Sequence, residues 1–158
     1  MDDSQDNFYF ASSEEAESAF YSAFEMADIS LMEAVIADDN VSCIHPNAMP
    51  IIGRQAVMDS WKKILEMLSE GAFYPEVLHR SVEGDEIGNT AIHIVAERIA
   101  ADHKIDAETN LLLTTNVYVR QSNGWRMRVH HSSLPPYQEN QAIENDPSIT
   151  HNVPPTLQ

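Results

Sequence analysis

One cysteine, nine basic side chains and no apolar run of membrane-spanning length are what this chain of 158 residues has least of. With Cys43 alone, no intrachain disulfide can form, and a reducing compartment is permitted. Lys and Arg number 9 against 25 Asp and Glu, for a formal net charge of -16. A surface of that sign repels phosphate backbones and anionic lipid, so neither nucleic acid nor membrane is expected as a partner. The opening Met1-Asp2-Asp3-Ser4-Gln5-Asp6 has neither the basic start nor the apolar core of a signal peptide, and cytoplasmic is the expected location. A phosphate-binding glycine loop and a nucleophile elbow are both missing.

What is there reads as three helices followed by strands. Ser12 and Glu15 have the spacing of a capping box, and Ala16, Ala19, Phe20, Ala23, Phe24 and Ala27 recur behind them as one apolar stripe. Asp28 opens a shorter helix to about Ala37, with Leu31, Val35 and Ile36 available for burial. Val41 to His45 is a short strand cut off by Pro46, and a loop with Ile51 and Ile52 follows. Arg54 to Leu68 is the third helix, with Val57, Trp61, Ile64, Leu65 and Leu68 on one face and Gly71 expected as its left-handed cap. Periodicity then changes to β-prone segments at about 73–83, 87–100 and 109–121, with a junction at Asp102-His103-Lys104. Ser122-Asn123-Gly124 turns into a last strand, Gly124 to Ser133. Residues 1–11 are expected to be a flexible acidic arm, 12–134 the folded domain, and 135–158 a poorly ordered tail.

This order is an α+β arrangement, with the helices on one face of a strongly curved antiparallel sheet and a ligand space between. At this point the chain resembles the nuclear-transport-factor-2-like superfamily, in its SnoaL-like, ketosteroid-isomerase-related branch. The residues that carry the resemblance begin with Ala27-Asp28, Ala37-Asp38-Asp39 and Ile44-His45-Pro46. Gly53-Arg54-Gln55-Ala56-Val57 leading to Trp61 follows, and then Gly124-Trp125-Arg126 with His130-His131-Ser132. The resemblance spans residues 13 to 134 and implies a cone-shaped fold, usually dimeric through the outer face of the sheet. It does not imply one activity, because the family holds isomerases, dehydratases, epoxide hydrolases, polyketide cyclases and non-enzymatic adaptors.

Candidate chemistry rests on a few side chains. Along the last strand, Trp125, Met127, Val129, His131 and Ser133 share one parity, while Arg126, Arg128, His130 and Ser132 share the other. Burying two unpaired guanidinium groups would cost several kcal/mol each. The first set is therefore expected to face the helices, with His131 in the pocket wall and the arginines outside beside carboxylates. A single bulge after Val129 would swap the two histidines. His131 and His45 are the candidate acid–base groups. Trp61, Trp125, Tyr74 and Met127 are candidates to line a ligand. Asp59 and Glu97 read as solvated, and His93 as structural. Adjacent histidines on a strand point to opposite faces and cannot chelate one ion, so no metal is expected, and no cofactor.

The leading expectation is a protein binding a small apolar ligand, cyclic or carbonyl-bearing, in the cone. The alternatives are a cofactor-independent isomerase, cyclase or dehydratase working by general acid–base catalysis, and a non-catalytic dimerisation module. A homodimer through the outer sheet face is expected, because the strands carry apolar residues of both parities and the helices can cover only one face.

Overall fold

The computed structural model describes residues 8–67, 73–84, 88–99 and 110–135. The expected cap at Gly71, the junction at Asp102-His103-Lys104 and residues 136–158 of the tail lie outside the described residues.

Helix α1 runs Ser13–Glu25 and begins at Ser12, whose Oγ accepts the Glu15 backbone N–H at 3.1 Å. Glu15 reaches back to the Ala11 N–H at 2.7 Å, so both sides of the cap close on orphan donors. Asp28 caps α2, Ile29–Val35, through the Leu31 N–H at 3.0 Å. Helix α3 spans Arg54–Met67. Strands β1 (Ser42–Ile44), β2 (Ile51–Ile52), β3 (Phe73–Glu83), β4 (Thr90–Ile99), β5 (Asn110–Gln121) and β6 (Gly124–Ser133) form one sheet in the order β2-β1-β6-β5-β4-β3.

The sheet is mixed rather than antiparallel throughout. The strands β3 to β6 are a meander, but β1 pairs with β6 in parallel. Parallel neighbours need a long connection, and here it is everything between β1 and β6. The segment around Ile51 and Ile52, expected as loop, pairs as a short antiparallel edge strand on β1, with Ile52 exposed.

Phe20, Phe24, Met32, Val35, Ile36, Val57, Trp61 and Leu65 from the helices meet Val95, Tyr118, Trp125 and Met127 from the sheet to make the core. Each large apolar side chain buried this way stabilises the fold by roughly 1.5–3 kcal/mol.

Two register shifts decide which residues face the helices. In β6, Val117 pairs with Val129 but Tyr118 pairs with Met127, so Arg128 is an extra residue, a β-bulge. In β3, Val77 pairs with Val95 but His79 with Ile94, so Leu78 is extra.

The last residues of the expected N-terminal arm are packed. Phe10 is buried and bridges Gly124 in parallel, and the Trp125 N–H donates to the Phe10 carbonyl at 2.9 Å. Gly124 has φ 101, and a Cβ on it would lie 2.8 Å from that carbonyl, so only glycine fits. Arg126 was expected to point outward beside carboxylates, but it is buried under this segment. It donates to the carbonyls of Phe8 at 2.7 Å and Trp125 at 3.0 Å, with the Phe10 ring 4.9 Å away. Carbonyl oxygens and an aromatic face take the place of a counter-ion. Arg128 does find a carboxylate, Asp39, at 3.1 Å.

Candidate functional site

The helix-facing side of the sheet is not uniformly apolar. Cross-strand pairing sets Arg80, His93, Asn116 and His130 in one row over four strands, with Cys43 of β1 beside His130. The next row holds Val95, Thr114 and Ser132, and Glu97 lies beyond it. Over these rows α1 lays a polar stripe of Ser13, Glu17 and Tyr21, four residues apart and all buried. The result is two separate buried networks, each built on one glutamate and one histidine.

In the first network, His93 Nδ1 meets Glu17 Oε2 at 2.6 Å and His93 Nε2 meets Ser13 Oγ at 3.1 Å. The half-exposed Arg80 donates to the other oxygen of Glu17. Burial alone would raise the Glu17 pKa, but the hydrogen bonds and charges of His93 and Arg80 outweigh it and hold the carboxylate below its ordinary value. This is an ion cluster tying α1 to β3 and β4.

In the second network no arginine or lysine takes part among the described residues. Tyr21 Oη donates to Glu97 Oε1 at 2.7 Å and accepts from Asn116 Nδ2 at 3.1 Å. Asn116 Oδ1 meets His130 Nδ1 at 2.8 Å. His130 Nε2 meets Ser132 Oγ at 3.1 Å, and Ser132 Oγ lies 3.2 Å from Glu97 Oε2. The five side chains close a ring, and Thr114 Oγ1 joins it at Ser132, 2.5 Å away.

Burial raises the Glu97 pKa against the lowering effect of its hydroxyl donors. Burial pushes His130 down to about 3, and the charges of His45 and His131 add to it. Both groups are therefore driven toward their neutral forms. As a carboxylate Glu97 accepts from Ser132; with a proton on Glu97 and a neutral imidazole that bond reverses and the ring runs in one direction: Glu97 to Ser132, Ser132 to His130 Nε2, His130 Nδ1–H to Asn116, Asn116 to Tyr21, Tyr21 to Glu97. Moving one proton from Glu97 to Ser132 while the serine proton passes to His130 gives a carboxylate and an imidazolium in the same ring. The ring can thus hold a transferable proton at either end.

Around His130 the interior is aromatic. Its ring centroid is 5.1 Å from Trp61 and 5.3 Å from Phe20, and Phe24 stacks edge-on against Trp61 at 5.2 Å. His45 is half-buried, hydrogen-bonded to Ser60 Oγ at 3.1 Å, with its ring 4.7 Å from Trp61. Burial lowers its pKa. Burial likewise pushes the Cys43 thiol up to about 12, so the thiol is not a nucleophile at neutral pH. Trp61 Nε1 and Tyr118 Oη are buried polar atoms that have no hydrogen-bond partner among the described residues. A groove of about 270 Å³ lies between the α1–α2 corner and α3, lined by Ala27, Ile29, Lys62, Leu65 and Glu66. It touches no member of either network.

The candidates read from the sequence separate into three groups. Trp61 is a core side chain of α3, and Trp125 and Met127 are core side chains on the helix-facing side of the sheet. His131 is exposed, and it is His130 that points inward, because the bulge at Arg128 reverses the parity of everything after it. The inward expectation was thus right for Trp125 and Met127 and wrong for His131. Tyr74 pairs with Arg98, opposite in face to Glu97, and is 39 % exposed on the outer side, away from any interior ligand. Glu97, read as solvated, is 1 % exposed. Asp59 is exposed and bonded to Gln55. Missed altogether were Glu17, Tyr21, Asn116 and Ser13. Two signals could have found them: the i, i+4, i+8 polar stripe of α1, and the shared face of His93 and Glu97 four residues apart on one strand.

A family model described as a SnoaL-like domain matches residues 14–138. Among solved structures, the chain is similar to a protein of Thiobacillus denitrificans provisionally assigned as a calcium/calmodulin-dependent protein kinase type II association domain. That likeness has 35 % identity and TM-score 0.71, covering 81 % of this chain and 98 % of that one. It is also similar to a protein of Streptomyces avermitilis provisionally assigned as a dehydratase of the NTF2-like family, with 25 % identity and TM-score 0.62, covering 76 % and 91 %. An NTF2-like protein of unknown function from Pseudomonas putida is 20 % identical with TM-score 0.64, covering 90 % and 93 %, and bears on the fold alone. Comparison with curated proteins gives no match.

Proposed function

Because this chain belongs to the SnoaL-like domain family, with the NTF2-like fold, we propose that it takes a small, largely apolar ligand bearing a carbonyl or hydroxyl group into the cone and moves a proton on it. The observation that carries this reading is the ring of Glu97, Ser132, His130, Asn116 and Tyr21, enclosed by Phe20, Phe24 and Trp61. A neutral carboxylic acid can give a proton and a neutral imidazole can take one, which is what general acid–base catalysis of an isomerase or lyase type requires. Buried polar groups in an apolar interior are costly, and an alternative of plain hydrophobic packing was available at each of these positions. His45 stands beside the aromatic cluster but has no carboxylate within hydrogen-bond reach among the described residues, so the acid–base role goes to Glu97 and His130.

The test is a panel of cyclic ketones, enones and hydroxy-ketones, followed by hydrogen–deuterium exchange at carbon and by loss of water. At least one compound class should turn over, and Glu97→Gln and His130→Gln should each lower the rate by about 10²–10⁴-fold. Full activity in both variants would remove the ring from the chemistry. Absence of binding at millimolar concentration across the panel would remove the reading itself.

A second reading, self-association, has its own support. Ile92, Ile94, Val117 and Val129 lie half-buried on the face of the sheet away from the helices, and Leu113 is exposed among them. The likeness to a protein assigned as an association domain points the same way. On this reading the chain is a homodimer through that face, and the two readings are compatible. Sedimentation at micromolar concentration should give a dimer, and Ile94→Asp with Val117→Asp a monomer; a monomeric native protein would sink the idea.

A further inference from the structure

A ring of hydrogen bonds can run in two directions, and one member must decide which. An imidazole, a hydroxyl and a carboxylic acid can each exchange the roles of donor and acceptor by moving a proton, and the phenol by rotating its O–H. An amide cannot: its oxygen only accepts and its nitrogen only donates. Asn116 is the single amide in the ring, and it is fully buried between Tyr21 and His130. Its Oδ1 faces His130 Nδ1 at 2.8 Å and its Nδ2 faces Tyr21 Oη at 3.1 Å.

We propose that Asn116 is the positioning residue of the ring. By presenting its oxygen to His130 and its nitrogen to Tyr21, it keeps the imidazole in the Nδ1–H form, leaves the Nε2 lone pair on Ser132, and stores the transferable proton on Glu97. The inference deepens the acid–base reading and rests on it for significance, yet its geometry stands without a ligand. The transfer it prepares is balanced. The Glu97 O–H bond breaks as a new O–H forms on Ser132, while the original serine O–H breaks as N–H forms on His130, and no electron changes owner. An aspartate at the same position would do the opposite. A carboxylate at 2.8 Å favours the imidazolium, so the proton would rest on His130 and Glu97 would be left without it. The other titratable groups around the imidazole are Glu97 through Ser132, His45 with its centroid at 6.3 Å, and the neighbouring His131; Cys43 is its cross-strand partner.

Nitrogen-15 and proton NMR of the histidine rings in the ligand-free protein tests this without any substrate, so its failure and that of the acid–base reading are distinguishable. The native protein should show His130 neutral with the proton on Nδ1 between about pH 5 and 8. Asn116→Asp should convert the His130 resonances to the doubly protonated pattern at pH 7, a change of at least about tenfold in the charged-to-neutral ratio. Asn116→Ser, which removes the amide without adding charge, should bring a detectable Nε2–H population into the neutral ring. A native His130 that carries its proton on Nε2, or carries two, overturns the proposal. So does an Asn116→Ser protein with the tautomer unchanged. Should Asn116→Asp not fold, the native spectrum and the serine variant decide.

Discussion

The interior of this protein holds the same pair of residue types twice, and the two behave as opposites. Glu17 and His93 touch directly at 2.6 Å, whereas Glu97 and His130 are joined through Ser132. At the first site Arg80 supplies a positive charge, and the Glu17 carboxylate is held below its ordinary range in spite of burial. At the second site no arginine or lysine among the described residues bonds to the ring, and burial moves Glu97 up and His130 down to about 3. One arginine within reach of the first glutamate, and none among the described residues at the second, separates a structural ion cluster from a glutamate and a histidine both driven toward their neutral forms. The difference teaches that the function of a buried glutamate–histidine pair lies in the third partner.

The largest way to sharpen this contrast is acid titration of stability. His130 in the unfolded chain takes its proton near 6.5 and in the folded protein only near 3. Between those values the unfolded state binds more protons, so stability falls as pH falls through the window, by about 5 kcal/mol in all. Glu97 has the opposite sign: its folded pKa lies above 4.5, so its contribution is present below 4.5 and is lost as pH rises through the folded value. Urea unfolding from pH 3 to 7 should show the fall on the acid side, and His130→Gln should flatten it above about pH 4.5. An unchanged acid limb in that variant would contradict the assignment.

Next in size is a matched substitution at the first glutamate. Glu17→Gln leaves buried His93 and half-exposed Arg80 without their anion and should destabilise by about 3 kcal/mol, the exposure of Arg80 keeping it at the low end for a broken buried pair. Glu17 loses its contribution as pH falls below 4.5 through its lowered folded value, and the variant should lack that segment of the acid limb. Arg80→Met is milder, about 1 kcal/mol in chemical denaturation, because the guanidinium is 40 % exposed. The variant should also bring the onset of Glu17 protonation closer to pH 4.5, which a pH series would read directly.

The smallest expected effect is the most telling. Glu97→Gln replaces an acid that burial drives toward its neutral form by an amide that can still accept from Tyr21 and donate to Ser132, so the cost in denaturation should stay below about 1 kcal/mol. A loss as large as that of Glu17→Gln would mean that Glu97 is ionised at rest and that the two sites are alike.

Much of this was legible in the chain. The capping box at Ser12, the cap at Asp28, the apolar stripes of the helices and the alternation of the last strand predict the elements in order, because caps and periodicity are local properties. The face of Trp125 and Met127 followed from the cost of burying arginine. The reversal to His130 did not, because a bulge depends on how two strands accommodate each other's twist, which no window of one strand contains.

The sequence by itself determined an α+β chain with three helices before a meander, a family and a strongly acidic surface. Only the tertiary structure decided the sites. Glu17 meets His93, and Tyr21 meets Glu97, each across 76 residues, and Asn116 meets Tyr21 across 95. Whether a glutamate is solvated, paired with arginine or held as a neutral acid is set by what surrounds it in space, since desolvation and Coulomb interaction act over a few ångströms and take no account of distance along the chain.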